Sequence, residues 1–432
     1  MTVKQDKGLK RSIGLLGLSA NIVNIIVGAG IFALPALIAQ NMGASSIIAY
    51  AFCGILMALI MLCYAEVGSK ITNTGGSYTF IESAFGDYAG FLAGIFTISS
   101  CLLADAAVSN ALVDVLGSAL PLFEIQSVRI LTLFIIFFGL AYVNVIGIKQ
   151  GIGLVMFNTF AKLIPLILLI LLAWKDVSLS NLWWTDTPTI KQLGETSLIL
   201  FFAFQGGEVG LTVGGEVINP QKTVPKAIFI SISTVVILYI LIQMVSQGVL
   251  GDTLPEYQAA PLAETAKVVM GKFGYLLLLV GAVISMFGNL SGEVLNNPRV
   301  IYALARDRVL PSKQLARIHK SFATPYIAVM VYACLGFILA STGTFEQLVP
   351  IATGSLLIVY LGVVLSVIKL RRSKKINQNS FKIPGGLIVP VLSSFIILYF
   401  LSYLSFSEKT GTLIFIVLLS LLYAFIKVFN KT

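Results

Sequence analysis

The amino-acid sequence predicts an all-α membrane protein with about twelve spanning helices, two of them discontinuous. Three observations support this prediction. Hydrophobic residues make up 57% of the 432 residues and charged residues only 11%, whereas a soluble domain carries about 25% charged residues. Apolar runs long enough to cross a bilayer fill most of the chain. Glycine clusters interrupt two of these runs near the middle, where a membrane helix is normally most regular.

The predicted spans leave no room for a separate soluble domain. They lie at residues 13–38, 44–68, 87–117, 128–146, 151–174, 194–216, 225–250, 273–304, 325–341, 346–368, 388–406 and 411–428. The whole chain, residues 1–432, is therefore predicted to be one membrane domain.

The first glycine break is Gly28-Ala29-Gly30, and the second is Gly206-Gly207. Backbone groups left unpaired in hydrocarbon cost several kcal/mol each, so such a break persists only beside a cavity, water or a ligand. Two broken helices at matching positions of two halves indicate the substrate site of a transporter. Close packing of two helices through small residues is the alternative interpretation of either break alone.

The position of the breaks predicts an internal repeat. Each break opens a unit of five spans, at residues 11–174 and 194–368. Because five is odd, the second unit must be inverted in the membrane relative to the first. Residues 388–428 add two further helices outside the repeat.

The net charge of +10 follows the membrane topology and does not indicate a nucleic-acid partner. Basic residues collect at alternate connections, which places both termini in the cytoplasm of a multi-pass protein of the inner or plasma membrane. These residues are Lys4, Lys7, Lys10, Arg11, Lys222, Lys226, Arg306, Arg308, Lys313, Arg317, Lys320, Lys369, Arg371, Arg372, Lys374, Lys375, Lys382, Lys427 and Lys431.

A helix broken at Gly28 offers two complementary ends. The half-helix that starts near Ala29 presents free N–H groups and a positive dipole end, which suit a carboxylate. The carbonyl groups around Ile25 to Val27 suit an ammonium group. The break can therefore hold both ends of a zwitterionic amino acid.

Ionisable residues inside predicted spans are costly and are functional candidates by default, and four are singled out. They are Asp105, Lys162, Glu208 and Glu293. If the three acids share a cavity, repulsion and desolvation favour a proton on one of them or a cationic substrate among them. A structural hydrogen-bond network is the alternative. Lys162 is expected to use the carbonyls of the first break, as a proton carrier or as a permanent structural cation.

Other charges are expected to cap helix ends or to extend towards water, and a charge network at an inner gate is the alternative interpretation. These are Glu66, Glu216, Arg299, Arg306 and Asp307. The single histidine, His319, lies in a loop, and the four cysteines show no C-x-x-C spacing. No metal, cofactor or catalytic constellation is therefore expected, which disfavours an intramembrane enzyme.

Several motifs, weak singly and specific in this order, resemble those of the amino acid–polyamine–organocation superfamily of permeases over essentially the whole chain. They are Gly28-Ala29-Gly30-Ile31-Phe32, Tyr64-Ala65-Glu66, Gly75-Gly76-Ser77-Tyr78, Lys162-Leu163-Ile164-Pro165, Phe204-Gln205-Gly206-Gly207-Glu208, Glu216 with Asn219-Pro220, Pro298-Arg299-Val300 and Ala305-Arg306-Asp307. The resemblance implies a LeuT-type fold of ten core helices plus two, with helices 1 and 6 discontinuous.

The resemblance also implies a role for each site residue. Backbone at Gly28, Ala29, Gly30 and Ile31 would hold the substrate carboxylate, and carbonyls at Ile25, Ile26, Ala203 and Phe204 the amino group. Phe202 corresponds to a gating aromatic, Glu208 to a proton- or substrate-linked gate, and Lys162 to the lysine that replaces sodium. Asp105 and Glu293 correspond to positions that line the side-chain pocket. The position of Glu293 is usually aromatic in the exchangers of the family, so the acid here is a departure from the family pattern.

Together these expectations describe a secondary active transporter that works by alternating access, as a proton-coupled symporter or an exchanger. The acidic pocket favours cationic amino acids or polyamines as substrates. A neutral amino acid transporter is the alternative, and an amino acid sensor that does not transport is a more distant one.

Overall fold

The computed structural model describes residues 9–184, 187–342, 345–372 and 380–429, and these residues are mainly α-helical. Their helices are α1 (Leu15–Ile26), α2 (Gly30–Met42), α3 (Ser46–Lys70), α4 (Ser77–Phe85), α5 (Asp87–Ala119), α6 (Gln126–Val145), α7 (Ile148–Ala173), α8 (Ile190–Phe201), α9 (Pro220–Leu250), α10 (Pro261–Asn296), α11 (Pro298–Arg306), α12 (Tyr326–Thr342), α13 (Phe345–Arg371), α14 (Ile388–Ser402) and α15 (Phe406–Phe429).

The prediction of an all-α membrane protein is confirmed. Eight helical stretches of the described residues are long and apolar enough to cross a membrane. Three shorter apolar helices accompany them, at Leu15–Ile26, Tyr326–Thr342 and Ile388–Ser402. Every predicted span except residues 194–216 coincides with one helix or with a broken or kinked helix pair.

Both glycine clusters interrupt their helices. Helix α1 ends at Ile26 and α2 begins at Gly30, so the first break is three residues long. Helix α8 ends at Phe201, and the chain then runs through short 3-10 turns until α9 begins at Pro220. The second break is therefore longer than the sequence suggested, because residues 209–216, predicted as the end of a spanning helix, form no α-helix.

Helix packing has the pattern that an inverted repeat requires. Helix α5 packs on α13, and its counterpart in the other unit, α10, packs on α7. Likewise α1 packs on α9, and the equivalent α8 packs on α3. The repeat boundaries at residues 11–174 and 194–368 stay a prediction.

The predicted loop at residues 69–86 contains a helix that the sequence analysis did not foresee. Helix α4 starts at Ser77, directly after two glycines with positive φ, Gly75 at 128° and Gly76 at 53°. The two glycines allow a turn sharp enough to fold α4 back against α5 and α13. The basic residues Lys4, Lys7, Lys374, Lys375 and Lys431, which entered the topology prediction, lie outside the described residues.

Two acids expected to cap helix ends or to reach water are buried instead, and both form ion pairs. Arg299 Nε lies 2.9 Å from Glu216 Oε1, and both side chains are completely buried. The Glu66 carboxylate accepts hydrogen bonds from Arg371 Nε, at 2.8 Å, and from the Ile383 backbone N–H, at 2.9 Å. The sequence did not show Arg299, Arg371 and Ile383 as partners because each lies far from its acid along the chain. Lys70, one helical turn from Glu66, is a further partner of that acid.

Candidate functional site

A cavity of about 60 Å³ lies where the two breaks meet α5 and α10. This is room for several water molecules. The lining residues are Ile25, Ile26, Gly28, Ala29, Gly30, Ser100, Cys101, Ala104, Asp105, Val108, Phe202, Ala203, Gln205, Gly206, Glu208, Val209, Asn289, Glu293 and Leu356.

Most of the predicted substrate residues meet at this cavity, including the three intramembrane acids. Three predicted site residues do not line it: Ile31, Phe204 and Lys162. Ile31 is completely buried. The Phe204 ring packs edge-on against Tyr239, with 4.9 Å between ring centroids.

The two breaks are in direct contact. A Cβ atom built on Gly30 would lie 2.8 Å from Ala203 Cβ, closer than real Cβ contacts allow. Glycine at this position therefore lets the start of α2 reach the second break. The first N–H groups of a helix have no partner within it, and Ala29 and Gly30 at the start of α2 line the cavity.

Lys162 lies behind the first break and is completely buried. Its Nζ donates to the carbonyl oxygens of Asn24 at 2.9 Å, Val27 at 2.6 Å and Ser285 at 3.1 Å. An ammonium group has three donors, so all of them are used. Lys162 thus joins the end of α1 and the first break to α10.

Three other side chains donate to the remaining carbonyls of the first break. Asn289 Nδ2 lies 2.6 Å from Ile25 O. The Tyr239 hydroxyl lies 3.0 Å from Ile26 O and also 3.0 Å from Ala203 O, so it links the two breaks. Ser285 Oγ contacts the carbonyl oxygens of Val27 and Gly28. Among the carbonyls expected for a substrate amino group, those of Ile25 and Ala203 each have one protein donor, which leaves a second lone pair. Ile26 O accepts from both the Gly28 N–H and the Tyr239 hydroxyl, so both of its lone pairs are used.

Each acid at the cavity has one anchored oxygen. Tyr332 donates its hydroxyl to Asp105 Oδ2 at 2.6 Å, and Tyr360 donates to Glu208 Oε2 at 2.6 Å. Asn297 Nδ2 lies 2.5 Å from Glu293 Oε2.

Asn297 also extends this network. Its Nδ2 lies 2.8 Å from the Tyr332 hydroxyl, so Glu293 and Asp105 are connected through these two side chains. Asp105 Oδ1 and Glu208 Oε1 are buried without a hydrogen-bond partner among the described residues. No lysine, arginine or histidine occurs among the described lining residues.

Sequence reasoning missed Asn289 and Gln205 as site residues. Asn289 precedes Glu293 by four residues, which places both on one face of α10. That spacing is a signal that could have found it. Gln205 was noted only as part of a motif, yet its Nε2 is buried at the cavity without a partner among the described residues.

Comparisons with known proteins agree with this architecture. The chain matches the family described as amino acid permease over residues 13–429. It is 30% identical over 397 residues to a serine/threonine exchanger of Bacillus subtilis (strain 168), and the aligned residues cover 90% of each chain. It is 26% identical over 415 residues to a branched-chain amino acid permease of the same organism, covering 90% of this chain and 87% of the relative.

A third relative is an arginine/ornithine antiporter of Pseudomonas aeruginosa. Identity is 29% over 326 residues, which covers 72% of this chain and 66% of the relative. The names of these relatives cover polar, branched and cationic amino acids. Since the family match spans nearly the whole sequence, the chain belongs to the amino acid permease family.

Proposed function

We propose that this multi-pass membrane protein is a secondary active transporter that moves amino acids across the cell membrane by alternating access. The observation that carries the proposal is the cavity between two broken helices. The start of α2 offers N–H groups for a carboxylate, and the carbonyls of Ile25 and Ala203 at the same cavity suit an amino group. Both termini lie in the cytoplasm, in agreement with the distribution of basic residues.

The proposed substrates are cationic amino acids. Three acids line the cavity, and Asp105 and Glu208 each keep one buried oxygen without a partner among the described residues. A buried carboxylate needs a counter-charge or a proton, and a substrate with a second cationic group would supply the counter-charge. Polyamines are less suitable, because they have no carboxylate for the start of α2.

Neutral amino acids are the second candidate class. The acids already accept hydrogen bonds from Tyr332, Tyr360 and Asn297, so carboxyl groups that hold protons would form a neutral polar pocket. The similarity to a serine/threonine exchanger and a branched-chain permease supports this class. In this case the acids would form the structural network that the sequence analysis gave as the alternative.

In the proposed coupling of transport to protons, Lys162 and Glu208 have separate roles. Lys162, held by three carbonyls, acts as a fixed cation at the position that sodium takes in coupled relatives of this architecture. Glu208 lines the cavity and has one free oxygen, so it is the proposed proton-linked gate, with Phe202 beside it as the aromatic lid. The transporter is then a proton symporter or an exchanger.

Counterflow into proteoliposomes tests the proposal. Vesicles loaded in turn with each common amino acid, and with putrescine, are diluted into labelled arginine, lysine, serine, alanine or leucine. Accumulation of label that requires an internal substrate establishes exchange, and uptake driven by an imposed pH gradient into empty vesicles establishes proton symport. Binding without any accumulation would identify a sensor and contradict the transport proposal. Uptake of neutral amino acids alone would contradict the cationic class.

A further inference from the structure

The four side chains that donate to carbonyls of the first break differ in their access to the cavity. Lys162, Tyr239 and Ser285 do not line it, whereas Asn289 does. A substrate in the cavity can therefore contact Asn289 directly but none of the other three. This difference singles out Asn289 among the groups that stabilise the break.

The orientation of the Asn289 carboxamide is fixed by its partner. The nitrogen lies 2.6 Å from the Ile25 carbonyl oxygen, a place where the amide oxygen would be repelled. Oδ1 therefore points away from that carbonyl, and no hydrogen bond to it occurs within the described residues. Asn289 also packs against Gly28, where an added Cβ would lie 3.2 Å from Nδ2. The carboxamide thus stands at the broken turn itself.

We propose that Asn289 recognises the amino group of the transported amino acid. Its Nδ2 keeps the Ile25 carbonyl directed at the cavity. The ammonium group of the substrate then donates one hydrogen bond to Asn289 Oδ1 and another to the second lone pair of Ile25 O. The ammonium group then meets two acceptors side by side. This inference rests on the proposed function and adds a side chain to a subsite otherwise made of backbone.

The arrangement has a consequence for specificity. A compound with the same side chain and carboxylate but no amino group loses both acceptors and leaves them facing an apolar methylene group. A site built around hydrogen bonds rejects analogues that lack the bonding group far better than it rejects analogues that differ in size. Asn289 should therefore set the preference for amino acids over their amino-free analogues.

Thermal stabilisation of the purified full-length protein in detergent measures this preference by binding, independently of transport. The probes are arginine with 5-guanidinopentanoic acid, and serine with 3-hydroxypropanoic acid, which lack only the amino group. One of the two pairs will bind the wild type more tightly. For that pair we expect Asn289→Leu to reduce the preference for the amino acid over its amino-free analogue by about tenfold or more, because a charge-assisted hydrogen bond is lost. Asn289→Asp should keep most of the preference, since it retains an acceptor although it loses the donor to Ile25 O.

The matched control is Asn144→Leu, because Asn144 is a buried asparagine that donates to Leu140 O of its own helix and does not line the cavity. An unchanged preference in Asn289→Leu would overturn the inference. If Asn289→Asp lost as much of the preference as Asn289→Leu, the missing Nδ2 donor would explain the effect. That result would also overturn the inference that Oδ1 is an acceptor for the substrate. Failure of the wild type in counterflow, with the binding preference intact, would reject transport and leave the Asn289 assignment standing.

Discussion

Gly30 in the first broken helix and Ala203 in the second lie in such close contact that a Cβ on Gly30 would stand 2.8 Å from Ala203 Cβ. The contact joins two segments that are more than 170 residues apart in the sequence. Residues of both breaks and the three intramembrane acids line one cavity beside this contact. We therefore expect the site to depend on this contact.

Gly30→Val is expected to destabilise the protein and abolish amino acid uptake. The added side chain must push α2 away from Ala203, and overpacking of this kind costs about 1–3 kcal/mol or more. Thermal unfolding in detergent and counterflow measure the two effects. Gly153→Val in α7 is the matched control, because a Cβ there meets nothing within 4 Å. Normal uptake by Gly30→Val would show that the breaks do not need to touch.

Lys162→Ala is expected to lower the unfolding temperature and to abolish uptake. The change leaves the carbonyls of Asn24, Val27 and Ser285 without their lysine donor, and an unsatisfied buried acceptor costs about 1–3 kcal/mol. The exposed Lys191→Ala on α8 is the control. If Lys162→Ala folds and its uptake responds to pH as the wild type does, Lys162 has no part in coupling.

Asp105→Asn tests the cationic pocket. The amide keeps an oxygen for the Tyr332 hydroxyl, so packing should survive, but the charge is lost. We expect the KM for arginine and lysine to rise about tenfold, as for loss of a charge-assisted contact of roughly 1.5 kcal/mol. The KM for serine and leucine should stay unchanged. Asp114→Asn on the same helix, with an exposed side chain, is the control, and an equal rise for all substrates in Asp105→Asn would argue against charge recognition.

Glu208→Gln tests the proton-linked gate. Glutamine can still accept from the Tyr360 hydroxyl but cannot exchange a proton. If Glu208 carries the coupling proton, uptake driven by a pH gradient should disappear while exchange at equal pH continues. The measurement is uptake into vesicles with and without the gradient, beside the exposed Glu195→Gln of α8. A gradient response like that of the wild type would place the proton elsewhere.

Glu216→Gln tests the buried ion pair with Arg299. Removal of one charge leaves Arg299 buried without its counter-ion, which typically costs about 3–5 kcal/mol. The unfolding temperature should therefore fall clearly, whereas Glu195→Gln, whose lysine partner is exposed, should have no measurable effect. A stability equal to the wild type in Glu216→Gln would mean that Arg299 finds another acceptor.

The sequence by itself determined the membrane class, nearly all spans and the position of both breaks. The physical reason is local: the length of an apolar run and the conformational freedom of glycine act on consecutive residues, so they can be read along the chain. The intramembrane acids were equally visible, since an ionisable group within an apolar run is conspicuous. The motifs then supplied the family.

Only the tertiary structure decided which groups meet. Three contacts join segments that are distant in the sequence. The Tyr239 hydroxyl bonds to both breaks, the Asn289 carboxamide bonds to Ile25, and Arg299 is buried against Glu216. Hydrogen bonds depend on distances of about 3 Å, and no periodicity along the chain encodes such a distance between separate helices. Helix α4 and the 3-10 turns after the second break also escaped prediction.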